Sequence, residues 1–313
     1  MLKAKKMRDF PSCFSENGVQ VSDASSSGAL LSTPATTSSK TAQNIVTCVY
    51  QCKLHSSFCF IITITWTKNL MGQGLLVEID DSRSQSFCKL EVKPSLFTKR
   101  KGYKTLEMGS SFINIFWDLS CAKFGSSPEP IENFYFAITI NQELILLLGD
   151  MEKEVHKKLN HPISSSPNAV FLSKKEHIFG RKVYATTAQF CGKGQIHDIL
   201  IECDTTSSSD PCLLIRIDGK IVLKVKQLQW KFRGNYTILV DGLPVEVYWD
   251  VHSWFFGKLN GNAVFLFQTC LSAEKLWGPS GHSVMSWSGS LIKDCGQSQG
   301  LGFSLVLCAW KNE

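Results

Sequence analysis

The sequence predicts an all-β fold, made of two related antiparallel β-sandwich or barrel-like units in tandem with a short connecting helix. Three observations predict it. From residue 44 onward Val, Ile, Phe, Tyr, Trp and Thr recur with period-2 spacing, the pattern of strands that bury one face. Asp-Gly pairs divide two such runs, "LLIRIDGKIVLKVK" (213–226) and "TILVDGLPVEVYWDV" (237–251). Asp-Gly between alternating apolar residues signals a tight hairpin, because both turn residues must take positive φ. The third observation is an internal repeat. A shift of 132 residues lays "LFTKRKGYKTLEMGSSFINIFWDLSCAKFG" (96–125) over "LQWKFRGNYTILVDGLPVEVYWDVHSWFFG" (228–257) without a gap, with eight of thirty positions identical, Gly102/Gly234, Trp117/Trp249 and Asp118/Asp250 among them. A shift of 138 lays "LLVEID" (75–80) over "LLIRID" (213–218).

In chain order, residues 1–43 are expected to form a disordered tail. The stretch "SDASSSGALLSTPATTSSKTAQ" within it lacks the apolar density that offsets ordering entropy. Residues 44–152 form the first predicted β unit. Its apolar runs, "FCFIITITW" (58–66) and "LILLLG" (144–149), are too short to span a bilayer, which takes roughly 18 to 20 residues, and suit buried strands. The one predicted helix is "DMEKEVHKKL" (150–159), with Asp150 placed to cap it, acids early and bases late, as the helix dipole prefers. Residues 153–168 are the helix end and a linker, where "NHPISSSPN" breaks the periodicity with two prolines. Residues 169–313 form the second predicted β unit, with a Ser/Gly-rich insertion near 281–300 expected to be a mobile loop.

A 313-residue chain that is 43% hydrophobic and 19% charged builds a core, and lies far from disordered, collagen-like or coiled-coil compositions. The net charge of +6 mildly favours anionic partners. The basic N-terminus has no apolar segment ahead of a cleavage site, which points to an intracellular location, cytoplasm or nucleus, with organelle transit left open by the Ser/Thr-rich tail. Twelve cysteines occur without a C-x-x-C pair, so most are read as small core hydrophobes, and neither a metal nor a cofactor is expected.

The segments "AQNIVTCVYQCKL", "TWTKNLMGQGL", "KKEHIFG", "AQFCGKGQIHDILIECD", "WKFRGNYTILVDGLPVEVYWDVHSWFFG" and "GLGFSLVLCAWKNE" resemble the land-plant family of uncharacterised proteins known as domain of unknown function 868. The resemblance covers nearly the whole chain from Met7. It implies plant origin and shared architecture, and transfers no activity, cofactor or site residue.

The binding candidates are the basic turn "FTKRKGYK" (97–104), with Lys99, Arg100, Lys101 and Lys104, and its counterpart "WKFRGNY" (230–236), with Lys231 and Arg233. Cations interleaved with rings suit phosphate, a lipid headgroup or single-stranded nucleic acid. The plainer reading is a solvated turn whose charges keep a sheet edge soluble. The Trp-Asp ends, Trp117-Asp118 and Trp249-Asp250, are expected to fill each core and to cap a strand end.

Catalysis would draw on Asp118, Asp250, His197 or Cys191 in a cleft between the units, but His197 and Asp198, adjacent on a strand, face opposite ways and cannot orient one another. H-E-x-x-H does not occur. The expected function is therefore a non-catalytic binding or scaffold protein that meets an unknown protein or an anionic surface through sheet faces and basic turns. An enzyme, or a lipid or nucleic-acid binder, is the alternative.

Overall fold

The computed structural model describes residues 44–53, 59–81, 86–93, 100–108, 111–159, 168–191, 194–203, 211–257, 261–269 and 302–311. The N-terminal tail, most of the linker, the insertion near 281–300 and Lys99 lie outside the described residues.

The described residues lie mostly in strands, as the period-2 pattern predicts. The first half runs β1 (Asn44–Lys53), β2 (Cys59–Asn69), β3 (Gly72–Asp81), β4 (Ser86–Val92), β5 (Lys101–Met108), β6 (Ser111–Asp118), β7 (Lys123–Phe124), β8 (Pro130–Glu132), β9 (Tyr135–Ile140) and β10 (Glu143–Gly149). Helix α1 (Glu152–Leu159) follows, burying Val155 against Tyr135 and Leu144. Then come β11 (Val170–Gly180), β12 (Val183–Ala188), β13 (His197–Cys203), β14 (Leu213–Ile217), β15 (Lys220–Val225), β16 (Arg233–Val240), β17 (Leu243–Asp250), α2 (His252–Phe256), β18 (Asn262–Thr269) and β19 (Ser304–Lys311).

Both predicted Asp-Gly hairpins form. Asp218 and Gly219 have φ of 49° and 78°, and Asp241 and Gly242 have 50° and 79°, the paired positive φ of a type I′ turn. Asn141 and Gln142, at 50° and 70°, make the same kind of turn between β9 and β10 without a glycine. Asp150 does something other than the capping role expected of it. Its carboxylate accepts the backbone N–H groups of Asn133 and Phe134, tying the start of β9 to the end of β10. These bonds hold its carboxyl below the ordinary range.

Nine strands form one sheet in the order β16-β17-β18-β19-β11-β1-β2-β3-β4, and two four-stranded sheets run β10-β9-β6-β5 and β12-β13-β14-β15. Pairing is antiparallel except between β11 and β19. Alternation puts one face of each strand inward, so each half of the large sheet is covered by a smaller one. Ile62, Ile64, Trp66 and Val77 of the large sheet pack with Ile115, Trp117 and Phe136 of the first small sheet. Val247, Trp249, Phe265 and Leu307 pack with Ile199, Ile201 and Ile215 of the second. Cys48, Cys52, Cys59, Cys88 and Cys203 are buried, as small core hydrophobes are, while Cys121 and Cys191 are exposed.

Candidate functional site

The basic turns sit at sheet edges. Strand β5 is the outer strand of its four-stranded sheet and β16 the outer strand of the large one. In register, Lys101 faces Asp118 and Arg233 faces Asp250. The Lys101 ammonium lies 2.7 Å from Asp118, and Arg233 Nε donates to Asp250 at 2.8 Å. The other carboxylate oxygen accepts Ser120 N–H at 3.1 Å in one case and His252 N–H at 2.9 Å in the other. Each acid thus closes its strand end, the structural role expected for both Trp-Asp pairs. Burial pushes the Asp118 carboxyl up, but the bonds from Lys101 and Ser120 outweigh it and hold the group below its usual range.

Of the other cations, Lys104 donates to the Lys89 carbonyl at 3.1 Å, and Arg100 and Lys231 are exposed. Arg100 precedes the edge strand that carries Lys101 and Lys104 on opposite faces, and Lys231 and Arg233 stand at the head of another.

The second turn carries something the first does not. Arg233 lies 5.6 Å from the Phe232 ring, which meets His252 and Phe256 edge-on at 5.2 and 5.6 Å. His252 and Phe256 are themselves 5.0 Å apart. Trp230 is 78% exposed and Phe256 58%, so large rings face water beside two cations. Helix α2 supplies His252 and Phe256, and with only five helical residues it is too short to leave a periodic signature in the sequence.

The residues considered for catalysis are held elsewhere. Asp118 and Asp250 belong to different sheets, each with its own cation. His197, at the start of β13, is buried, with Nδ1 2.7 Å from Asp218 and Nε2 3.0 Å from Asp241. Two carboxylates accept from one imidazole only if both ring nitrogens carry protons. The Asp218 bond, aided by Asp241, raises the His197 pKa against the opposing effect of burial. Asp218 is held low by the same bond and by Asp198 N–H. His197 therefore fastens the β14–β15 turn to the β16–β17 turn, linking two sheets. As expected, Asp198 is not its side-chain partner. The actual partners lie 21 and 44 residues away, a separation that no local pattern reveals.

A cleft of about 500 Å³ is lined by Ser126, Glu129, Lys174, Glu176, Thr186 and Asp198, among others. Lys174 lies 2.8 Å from Glu129 and 3.4 Å from Glu176, and Thr186 donates to Glu176. Burial pushes the Lys174 ammonium down, and the two carboxylates more than offset it. Burial and Glu129 push the Cys48 thiol far up, and it serves as a weak donor to Glu129 at 3.5 Å. Sequence reasoning missed this cluster because its members come from a loop, β1, β11 and β12. Asp118, Asp250, His197 and Cys191 are not among the residues that line it. Among the described residues no group of His, Cys, Asp and Glu is arranged to hold a metal ion, and no helix is long and apolar enough to cross a membrane.

The fold and these sites define a strand-rich protein with several mainly antiparallel sheets, whose acids and histidine lock turns and strand ends. The family model described as a plant protein of unknown function, DUF868, matches residues 41–311, and the chain belongs to that family. No curated protein and no solved structure matches the chain.

Proposed function

We propose that this member of the family is a non-catalytic binding or scaffold protein that engages a protein or an anionic surface through its sheet faces and basic turns, with Lys231 and Arg233 at the main contact. The observation that supports it is the cluster of Phe232, His252 and the exposed Phe256 beside Arg233, with the exposed Trp230 and Lys231 just before it in the chain. Rings left in water next to positive charge suit a ligand that offers both an apolar or stacking face and negative charge. The first turn, with Lys99, Arg100, Lys101 and Lys104, is a second and weaker contact in this reading. The proposed compartment is the cytoplasm or nucleus.

The test is affinity capture from plant cells with protein, lipid and nucleic acid read out together. Wild type stands beside a Trp230→Ala, Lys231→Glu, Phe256→Ala variant and a control substituted at the exposed Leu70 and Met71. Loss of one partner by the triple variant alone supports the reading, and a steep fall of that interaction with salt assigns it to phosphate contacts. Recovery of the same set by all three proteins overturns it.

We also infer that the two β units, 44–152 and 169–313, descend from a tandem duplication. Supporting this, β1-β2-β3-β4 and β12-β13-β14-β15 run in the same order, as do β10-β9-β6-β5 and β19-β18-β17-β16. The sequence repeat places β5–β6 on β16–β17 and β3 on β14.

A further inference from the structure

An open sheet edge presents unpaired N–H and C=O groups and is a template for another strand, which folded proteins ordinarily defend with charge, irregularity or cover. The edges of this protein differ in that respect. Strand β4 carries Lys89 and Glu91, β5 carries Lys101, Lys104 and Glu107, and β15 carries Lys220 and Lys224. Strand β10 has an irregular register between Leu144 and Leu146, and its Ile145 carbonyl accepts Ala169 N–H. Strand β12 lacks charge, but Glu176 occupies its flank through Thr186.

Strand β16 has one such charge, Arg233 at its first position, and no defence along the rest of its length. From Gly234 to Val240 it reads "GNYTILV", with neither charge nor proline. Its register with β17 is unbroken over eight pairs, and among the described residues no strand lies on its other side. Asn235, Thr237 and Leu239 face outward, with Leu239 72% exposed and Tyr236 55%.

The ends of the strand decide what covers it. Arg233 stands at one end and Asp241 at the other. An antiparallel pair of β16 strands related by a two-fold axis through Thr237 sets Arg233 opposite the second copy's Asp241, Asn235 opposite Leu239, and Thr237 opposite itself. Opposite charges then meet at both ends of the seam. Arg233 commits its Nε to Asp250, and Asp241 commits Oδ2 to His197, leaving the terminal guanidinium nitrogens and Oδ1 for the contact across the axis. A self-complementary strand of this kind fits a two-fold, isologous interface better than it fits an unrelated peptide.

We propose that two copies of this chain associate through β16, antiparallel about Thr237, joining their nine-stranded sheets edge to edge. The interface is an addition to the binding role argued above and does not depend on it.

Sedimentation equilibrium over a concentration series tests it, with wild type beside Thr237→Lys, which sets two ammonium groups face to face across the axis. Wild type should show a monomer–dimer equilibrium, and the variant should dissociate at least tenfold more readily with an unchanged circular dichroism spectrum. Oxidative cross-linking fixes the register. Thr237→Cys should link to itself, and Asn235→Cys should link to Leu239→Cys only when the two are mixed, each above the background of the wild-type cysteines. A wild type that stays monomeric throughout overturns the proposal. So does a dimer that Thr237→Lys leaves intact and the designed cysteines fail to trap.

Discussion

In the β5–β6 pair the Trp117 indole lies over Gly102 and Lys101 holds Asp118; in the β16–β17 pair Trp249 lies over Gly234 and Arg233 holds Asp250. The next backbone bond also matches. Leu119 N–H reaches the Arg100 carbonyl at 2.8 Å, and Val251 N–H reaches the Phe232 carbonyl at 2.9 Å. Beyond that the pairs part. Trp249 Nε1 donates to the Lys231 carbonyl at 3.0 Å, whereas Trp117 Nε1 is buried and has no partner among the described residues, which leave out Lys99, the counterpart of Lys231. The second pair continues into α2 and its exposed rings, and its turn offers Asp241 to His197, while the first pair's turn has Gly109-Ser110 in that place. One scaffold thus serves two purposes. The shared parts maintain the sandwich, and the second pair adds exposed rings and a turn that reaches another sheet.

The largest expected effect tests the shared indole. Trp117→Ala and Trp249→Ala should each lower stability by about 3–5 kcal/mol in guanidinium unfolding, since each leaves a large cavity. Trp249→Ala should cost about 1 kcal/mol more, because it also leaves the Lys231 carbonyl without its donor. Equal losses would erase the difference drawn between the pairs.

Next come the glycines beneath the rings. A Cβ at Gly234 would lie 2.3 Å from the Trp249 ring, and one at Gly102 2.6 Å from that of Trp117. Gly234→Ala and Gly102→Ala should each destabilise by about 1–3 kcal/mol, with Gly234→Ala the worse. A neutral result at either would show that the indole moves aside.

His197 sharpens the comparison through pH. Its pKa is raised in the folded protein, so its contribution is fully present below the unfolded value of about 6.5 and is lost as pH rises through the folded value. Wild-type stability should fall across that window, and His197→Asn should be flat there while less stable at its acid end. A wild type insensitive to pH from 6 upward would mean that the two turns do not depend on the imidazolium.

The smallest effect belongs to Asp118, whose folded pKa is depressed. Its contribution is present above the unfolded value of about 3.9 and disappears as pH falls through the folded one. Asp118→Asn should remove that portion of acid sensitivity. An unchanged acid transition would show that the Lys101 pair adds nothing.

Local features were legible in the sequence and long-range ones were not. The hairpins at Asp218-Gly219 and Asp241-Gly242 are set by residues that tolerate positive φ, and the alternation of β14 and β17 names its own buried face. The Asn141-Gln142 turn escaped because neither residue announces it. The parallel pairing of β11 with β19 joins residues more than a hundred positions apart, and alternation carries no information about which strand lies alongside. The site divides the same way. The basic and aromatic residues at 230–236 were readable, while His252 and Phe256 joined them only through α2, and Lys174 met Glu129 only through the sheet.

Strand β11 lies between β1 and β19, so continuity between the two cores passes along a single strand. If the backbone were severed between Leu159 and Val170, the buried residues of each main core would stay within one fragment, while the packing of Phe171 on the first core and the Lys174–Glu129 pair would be divided between the two. One fragment would present β1 and the other β11, each the missing mate of the other.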